Sequence, residues 1–345
     1  MVISPKIIRP HITRMITAEV TLHDDGVEGI GGSPALVVGF MGSGKSTLLA
    51  QLSQQMCHLK DQTREEFFRS GCHGTVYPET VLWRGQQFDH WNALLPHNWE
   101  RSFPGWRGIK PVRVHVNCDD NLKFTQKNEK TKQFQELEGI YNVLKYYRNS
   151  EDLIKNVLPG GINIVYEPQE FMPGEKLISD LNARKMVKND DNPERKAGKY
   201  LTVEPHIFWF ELTAYLLEHK APDEFYTLVL DESHELFPYG ATGDHWHLIS
   251  YFVDSIIHTR KNNVSLLCAI HDVNLMDFRV RDRMKYFYWL PGSVPIKRVS
   301  RVYPDVVSKL ELGEVIMELK RKDFSGDRFQ RIKDQPPVVR VEVLD

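Results

Sequence analysis

Cysteine is scarce in this sequence: the four residues Cys57, Cys72, Cys118 and Cys268 are spread over 345 positions and include no Cys-x-x-Cys pair. Small domains that are held together by disulfides are dense in cysteine, so the sequence excludes that class. Cys268 lies inside an apolar run and is expected in the core. The scarcity favours a reducing, cytoplasmic location.

Long apolar stretches are also missing. No run approaches the ~18 residues that a membrane-spanning helix needs. The first six residues, Met1 to Lys6, include charge and proline where a signal peptide has an apolar segment. We therefore expect no integral membrane segment.

Neither sign of charge is in excess, because 44 basic residues face 46 acidic ones and leave a net charge of −2. This balance excludes a globally basic, histone-like binder but leaves room for a local basic surface. Hydrophobic residues make up 41% and charged residues 26% of the chain, which suits a globular core. The length fits two average domains, or one large α/β domain with insertions.

Short apolar runs without a polar face alternate with longer helical patterns. Such runs are typical of strands buried on both sides, which occur in sheets covered by helices. The sequence therefore predicts an α/β fold with a doubly wound, mostly parallel sheet and helices on both faces. The predicted strands are 35–38, 112–116, 162–166, 226–230, 265–270 and 286–290, and the predicted helices are 45–55, 206–218, 245–259 and 274–285.

The predicted organisation is an N-terminal strand and turn segment over 1–33, one large domain over 34–331, and a C-terminal tail over 332–345. Within the domain we expect insertions at about 83–111 and 119–160. The first is rich in tryptophan beside arginine, which favours core packing over base stacking. The second is lysine-rich between 119 and 148 and is predicted as a solvated helix, and 185–199 as an exposed loop.

A phosphate-binding motif follows the first predicted strand and precedes the first predicted helix. Its glycines let backbone N–H groups turn towards phosphates, and the N-terminus of the helix favours the same anion. The lysine would reach the β- and γ-phosphates of ATP, and the following serine would ligate Mg²⁺. The motif G-x-x-x-x-G-K-[ST] is matched in full by Gly39, Phe40, Met41, Gly42, Ser43, Gly44, Lys45, Ser46 and Thr47.

An acidic pair ends a second buried run, at Asp231 and Glu232. The carboxyl edge of a parallel sheet is where ligands of open α/β folds bind. Asp231 would hold Mg²⁺ and Glu232 would polarise the attacking water. The alternative is an acidic helix N-cap. A third buried run ends at His271, which either senses the γ-phosphate or simply caps the next loop.

The order of these motifs resembles the FtsK–HerA superfamily of ring-forming, RecA-like P-loop ATPases. The resemblance rests on the phosphate loop, the Asp-Glu strand, Arg260 to Val264 as its R-x-x-x-V segment, the polar residue His271, and Gly313-Glu314 as its late turn. Asp277 and Arg281 stand where that family has its "D…IR" segment. The family usually has glutamine in place of His271. The sequence has neither a HerA-type β-barrel nor the transmembrane segment of many Zot-like proteins.

The resemblance implies an ATPase of the viral genome-packaging or Zot-like branch. It also implies a ring of identical subunits, a hexamer, in the cytoplasm, or in the host cytoplasm for a viral protein. DNA is the implied partner, with capsid or membrane assembly proteins as further ones. Such rings use an arginine from the neighbouring subunit at the γ-phosphate; the candidates are Arg260, Arg279 and Arg281, with Arg281 first.

Basic residues cluster between 279 and 301, where seven cations meet one acid around the predicted strand 286–290. This cluster indicates either contact with DNA phosphates or ordinary surface charge. The leading hypothesis is an ATP-driven DNA translocase of a virus or mobile element. The alternatives are a Zot-like assembly or export ATPase that acts on protein partners, and a non-motor P-loop kinase or switch.

Overall fold

The structure is a computed structural model that describes residues 34–69, 79–106, 108–188, 206–220, 224–259, 264–320, 323–331 and 336–344. The N-terminal segment 1–33, Arg260 and residues 189–199 of the predicted loop lie outside the described residues.

The described strands form two sheets. In chain order they are β1 (Pro34–Val38), β2 (Glu79–Arg84), β3 (Phe88–Asp89), β4 (Val112–Asn117), β5 (Leu122–Lys127), β6 (Phe134–Glu136), β7 (Leu144–Tyr147), β8 (Ile162–Val165), β9 (Phe225–Leu230), β10 (Val264–Ile270), β11 (Tyr286–Trp289), β12 (Glu314–Leu319), β13 (Asp323–Arg328) and β14 (Val339–Val343).

The described helices are α1 (Lys45–Arg69), α2 (Trp99–Ser102), α3 (Ile140–Val143), α4 (Ser150–Asn156), α5 (Glu175–Lys188), α6 (Ile207–His219), α7 (Gly243–Thr259), α8 (Phe278–Arg281) and α9 (Pro304–Val307). Short 3₁₀ turns cover Trp91–Leu94, Pro96–Asn98 and Val273–Leu275.

The main sheet runs in the order β13-β12-β11-β1-β10-β9-β2-β8-β4-β7. Pairing is parallel from β11 to β7 and antiparallel only where β12 and β13 complete one edge. The predicted doubly wound, mostly parallel α/β sheet is therefore confirmed. Since β10 separates β1 from β9, the carboxyl end of β10 lies between the ends of the strands that carry the two motifs.

Two apolar layers cover the faces of this sheet, which explains why its central strands have no polar face. On one face α1 places Leu48, Leu49 and Leu52 against Val37 and its neighbours. On the other face α6 and α7 pack with Leu228 and Leu266. Each fully buried leucine stabilises the fold by roughly 1.5–3 kcal/mol through removal of apolar surface from water, so the sheet is a rigid base for the loops at its carboxyl edge.

A four-stranded sheet in the order β3-β14-β5-β6 lies outside the main sheet. The expectation of a helix between 119 and 148 was wrong, because this segment contains β5, a turn and β6, and only α3 is helical. In β5 exposed Lys123 and Lys127 lie on the same face as buried Thr125, while buried Phe124 points to the opposite face. The Asn128 side chain accepts hydrogen bonds from the N–H groups of Lys130 and Thr131 and so pins the turn.

Several observed strands lie inside the segments that were expected to be insertions or a tail. Trp83 and Arg84, placed at the start of an insertion, are the last residues of β2 in the middle of the main sheet. The second expected insertion contributes β7 to the main sheet. The expected tail contributes β14, which pairs with β3 and β5. Over 274–285, predicted as a helix, only a 3₁₀ turn and the single turn α8 form, since the Asp272 and Asp277 side chains cap two short turns in succession.

Candidate nucleotide-binding site

The glycine-rich loop connects β1 to α1 and turns through two left-handed residues, Gly42 (φ 78°) and Gly44 (φ 98°). A side chain at Gly39 would collide with the Ser43 hydroxyl, 2.4 Å from an ideal Cβ. Glycine is needed here because the backbone folds back on itself. Phe40 and Met41 form the exposed tip of the loop, and Ser46 and Thr47 lie in the first turn of α1.

Two aromatic rings hold this loop in place. The ring of Phe329, which follows β13, lies 2.9 Å from an ideal Cβ on Gly44, and the ring of Phe40 lies 2.6 Å from one on Gly292. Both glycines therefore admit a ring against the backbone. The loop is shaped by packing in the free protein, which favours anion binding without further ordering.

The Lys45 amine is the cation of the site, and it is largely buried at 7% exposure. Its Nζ donates to the carbonyl oxygen of Gly39 at 3.0 Å and lies 2.8 Å from Nδ1 of His271. Burial lowers the pKa of Lys45, while the nearby carboxylates of Glu232 and Asp231 oppose that shift.

The acidic pair follows β9 at the same edge of the sheet. Oδ2 of Asp231 lies 3.5 Å from Oγ of Ser46, so the two groups expected to hold Mg²⁺ are neighbours. Burial raises the pKa of Asp231 to about 6, and the charge of Glu232 adds to this effect. A hydroxyl and a carboxylate are hard oxygen ligands of the kind that Mg²⁺ prefers alongside nucleotide phosphates. The residues present therefore fit a magnesium-bound nucleotide.

His271 follows β10 and joins the two motifs. Its Nε2 lies 2.9 Å from Oε1 of Glu232, while its Nδ1 faces the Lys45 amine. An ammonium has no acceptor, so Nδ1 accepts from Lys45, and in the neutral ring Nε2 carries the proton and donates to Glu232. The three side chains form a continuous chain of contacts across β1, β10 and β9.

Glu232 has a left-handed backbone, with φ of 48°, which is uncommon outside glycine and is typical of residues held by function. Its second carboxylate oxygen, Oε2, is buried and accepts no hydrogen bond from the described residues. Nδ1 of His234 lies 3.4 Å from that oxygen. Sequence reasoning missed His234, although it follows the acidic pair by only two residues.

The loop after β2 supports Asp231 from the other side and was also missed. Gln86 donates through Nε2 to the carbonyl oxygen of Asp231 at 3.3 Å. Asp89 is buried, and burial together with the charge of Asp231 raises its pKa to about 8. Arg84 contacts Glu167 in a bidentate ion pair and Glu235 at 2.8 Å. The sequence signal for this loop was Arg84, because an arginine at the end of a buried central strand needs carboxylate partners nearby.

The two candidate arginines that the structure describes, Arg279 and Arg281, are engaged inside the chain. Arg281 is 6% exposed through its side chain and contacts Asp282 at 3.2 Å. Arg279 pairs with Asp277 and donates to the hydroxyl of Ser250. Arg281 stays the proposed arginine for a neighbouring subunit, and from this buried position it would have to leave Asp282 to reach one. Arg281 is buried and Arg279 is half-buried, and their ion pairs reduce the free positive charge of the expected cluster at 279–301.

No protein-family model matches the sequence, and no curated protein matches it. Among solved structures, the chain is similar to the genome packaging NTPase B204 from Sulfolobus turreted icosahedral virus 2 in complex with sulfate, with 11% identity, a TM-score of 0.43, and coverage of 87% of this chain and 98% of that one.

Two further structures are similar to the chain at lower scores. One is the N-terminal domain of zonular occludens toxin from Neisseria meningitidis, with 9% identity, a TM-score of 0.29, and coverage of 89% of this chain and 99% of that one. The other is the pCW3 conjugation coupling protein TcpA with ATPγS, with 11% identity, a TM-score of 0.29, and coverage of 86% and 60%. Among the described helices, none is both long and apolar enough to cross a membrane.

Proposed function

We propose that the protein is an ATP-hydrolysing motor that translocates DNA, of the genome-packaging type. The observation that carries the proposal is the convergence of the Lys45 amine, His271 and the Glu232 carboxylate at one sheet edge, with Asp231 beside Ser46. A phosphate-binding lysine and an acidic pair on non-adjacent strands suit a nucleoside triphosphate held between them.

Each residue has a distinct task in hydrolysis. The loop amides and Lys45 bind and neutralise the phosphates. Ser46 and Asp231 would hold Mg²⁺, which would supply positive charge to neutralise the phosphates. Glu232 is the proposed general base, because its carboxylate lies at the same sheet edge as Lys45 and Asp231, where the attacking water would meet the γ-phosphate.

His271 is proposed as the sensor of the nucleotide. In the free protein its Nδ1 faces Lys45, and a phosphate that recruits the lysine amine removes this donor. The imidazole then changes its hydrogen bond at Nδ1, while its Nε2 contacts Glu232. A change at the phosphate therefore reaches the base through one rigid ring, without movement of a strand.

Action on DNA and assembly into a ring are supported by the order of motifs that resembles the FtsK–HerA superfamily. The similar B204 protein is described as a genome packaging NTPase and as a DNA-packaging ATPase. The proposed partners are DNA, further copies of this chain in a hexameric ring, and capsid or membrane assembly proteins. The proposed location is the cytoplasm, where the thiols of Cys57 and Cys268 stay reduced.

The test is the steady-state ATPase rate of the purified protein with Mg²⁺, with and without DNA, beside its mass in solution with a nucleotide analogue. DNA-stimulated hydrolysis by a ring supports the proposal. Hydrolysis that DNA leaves unchanged reassigns the protein to an assembly or export ATPase, and a phosphorylated small molecule reassigns it to a kinase. A strict monomer without stimulation refutes the motor.

A further inference from the structure

The outer face of the small sheet combines cations with exposed aromatic rings. In the register of the sheet, Arg340 lies opposite Phe88 and Lys127 lies opposite Phe134. Lys123 is two positions from Arg340 along this face, since it lies opposite Glu342. Because residues that are paired across strands share one side of a sheet, these five side chains belong to one surface, which we call the outer face.

The opposite side of the same strands is closed. Phe124 lies opposite Val341 and Val339 lies opposite Asp89, and all four side chains are buried. The small sheet is therefore anchored by one face in the core, and the outer face exposes its rings and lysines to solvent around one buried residue, Thr125. Phe88 is 60% and Phe134 is 53% exposed there.

The charge of this surface is positive although the chain as a whole is slightly acidic. Lys130 and Lys132 on the turn between β5 and β6 are exposed and extend the cations of the outer face. Two acids share the outer face: Glu342 contacts Arg340, and Glu136 accepts a hydrogen bond from the Tyr141 hydroxyl and keeps its charge. Glu129 on the turn contacts Arg101. Among the described residues none of the four lysines forms an ion pair; the charge of Lys132 also acts on Glu129, which contacts Arg101.

Protection of sheet edges explains only part of this pattern. Lysine on edge strands prevents pairing with other chains, and β3 and β6 are the edges of this sheet. An exposed phenylalanine on each edge has the opposite effect, because it adds apolar surface where aggregation begins. A ligand that has both flat apolar surfaces and negative charge would cover the rings and meet the lysines at the same time.

We infer that the outer face binds single-stranded DNA, with bases stacked on Phe88 and Phe134 and phosphates near Lys123, Lys127 and Arg340. Unpaired bases stack on aromatic rings, whereas bases in a duplex present only their edges. The rings lie on strands three places apart, about 14 Å across the sheet, so they serve different bases of one strand. The guanidinium of Arg340 lies 5.1 Å from the ring of Phe134, which supports the ring and leaves charge beside it.

This inference deepens the proposed function and rests on it for the choice of DNA over RNA. It assigns a second contact with the cargo, outside the nucleotide site and separate from the cluster at 279–301. A motor that grips a displaced or single strand here would keep its cargo engaged between ATPase cycles.

The test is fluorescence anisotropy of a labelled thymidine strand of about 15 nucleotides, measured on the full chain without nucleotide. Phe88→Leu combined with Phe134→Leu keeps apolar side chains and removes the stacking surface. We expect this double variant to weaken binding at least about fivefold for each ring. Phe88→Tyr with Phe134→Tyr should bind within about twofold of wild type, and thermal melting checks that all variants are folded.

A salt series separates the cations from the rings. For single strands, log K falls with log salt by about 0.7 for each phosphate contact. Lys123→Gln with Lys127→Gln should therefore reduce this slope by about 1.4. The control is Lys155→Gln, an exposed lysine on α4, which should leave the slope unchanged.

Each result decides the inference independently of the motor proposal. Binding should persist in Lys45→Ala, which removes the nucleotide-site cation and leaves the small sheet intact. Leu variants that bind as wild type, stronger binding of the matching RNA strand, or equal binding of a duplex or a polyglutamate peptide each overturn the inference. If the wild-type protein binds the strand through these rings but its ATPase rate is not stimulated by DNA, the motor proposal is overturned and the binding surface is not.

Discussion

The substitution Glu232→Gln gives the sharpest test of the proposed chemistry. Glutamine has the size of glutamate and the same cost in the left-handed backbone at this position. It still accepts the hydrogen bond from Nε2 of His271, but it takes no proton from water. We expect the fold and nucleotide binding to be kept while the proton-transfer step is lost.

The magnitude follows from the role. General base catalysis contributes about 10²- to 10⁴-fold, which corresponds to roughly 3–5 kcal/mol in the activation free energy. The turnover number of Glu232→Gln should fall by that factor, with the dissociation constant for an ATP analogue within about threefold of wild type. Coupled phosphate-release assays measure the first quantity and fluorescent-nucleotide titration the second.

Glu235→Gln is the matched control for this experiment. Glu235 lies in the same turn, and its ion pair with Arg84 is one of two that this arginine makes. This variant should retain turnover within about threefold. If Glu232→Gln also retains turnover within about tenfold of wild type, Glu232 is not the base and the reasoning from its position beside Lys45 and Asp231 fails.

Further predictions concern the other residues of the site. Lys45→Ala should abolish turnover and weaken ATP binding, measured by titration, because it removes the amine that neutralises the phosphates. His271→Gln should keep turnover better than His271→Ala by at least about tenfold, since an amide can bridge where a methyl group cannot; equal rates would remove the sensor role. The raised pKa of Asp231 means that its ionisation opposes folding as pH rises through about 6. Asp231→Asn should therefore stabilise the free protein by an amount that grows from about pH 4 to 6 and reaches about 3 kcal/mol, measured by urea unfolding; no pH dependence of the difference contradicts this. Gly44→Ala should be more destabilising than Gly42→Ala, because both have left-handed backbones but only the first meets a ring, and thermal melting gives the order.

Sequence reasoning reached the α/β fold and the two motif strands because their residues act locally. Buried parallel strands have a distinct apolar pattern, and the glycine loop is contiguous in the chain, so neither needs knowledge of distant contacts. The acidic pair was placed at a sheet edge for the same reason. The sequence did not predict the order of the strands in the sheet, because strand order depends on distant contacts that no local pattern contains.

The errors also have physical causes. Lysine-rich 119–148 was predicted as a helix because polarity hides the two-residue alternation of β5, whose partner β14 lies about two hundred residues further on. His234 and Asp89 acquire their surroundings only when the loop after β2 meets the end of β9.

The position of β10 between the two motif strands has a consequence for the empty protein. Neighbouring strands are about 4.8 Å apart, so one intervening strand sets the lysine and the glutamate about 10 Å apart at their backbones. On adjacent strands the two opposite charges would neutralise each other directly and shut the cleft before any substrate arrived. The imidazole of His271 lies between the Lys45 amine and the Glu232 carboxylate, so both charges stay available to a nucleoside triphosphate.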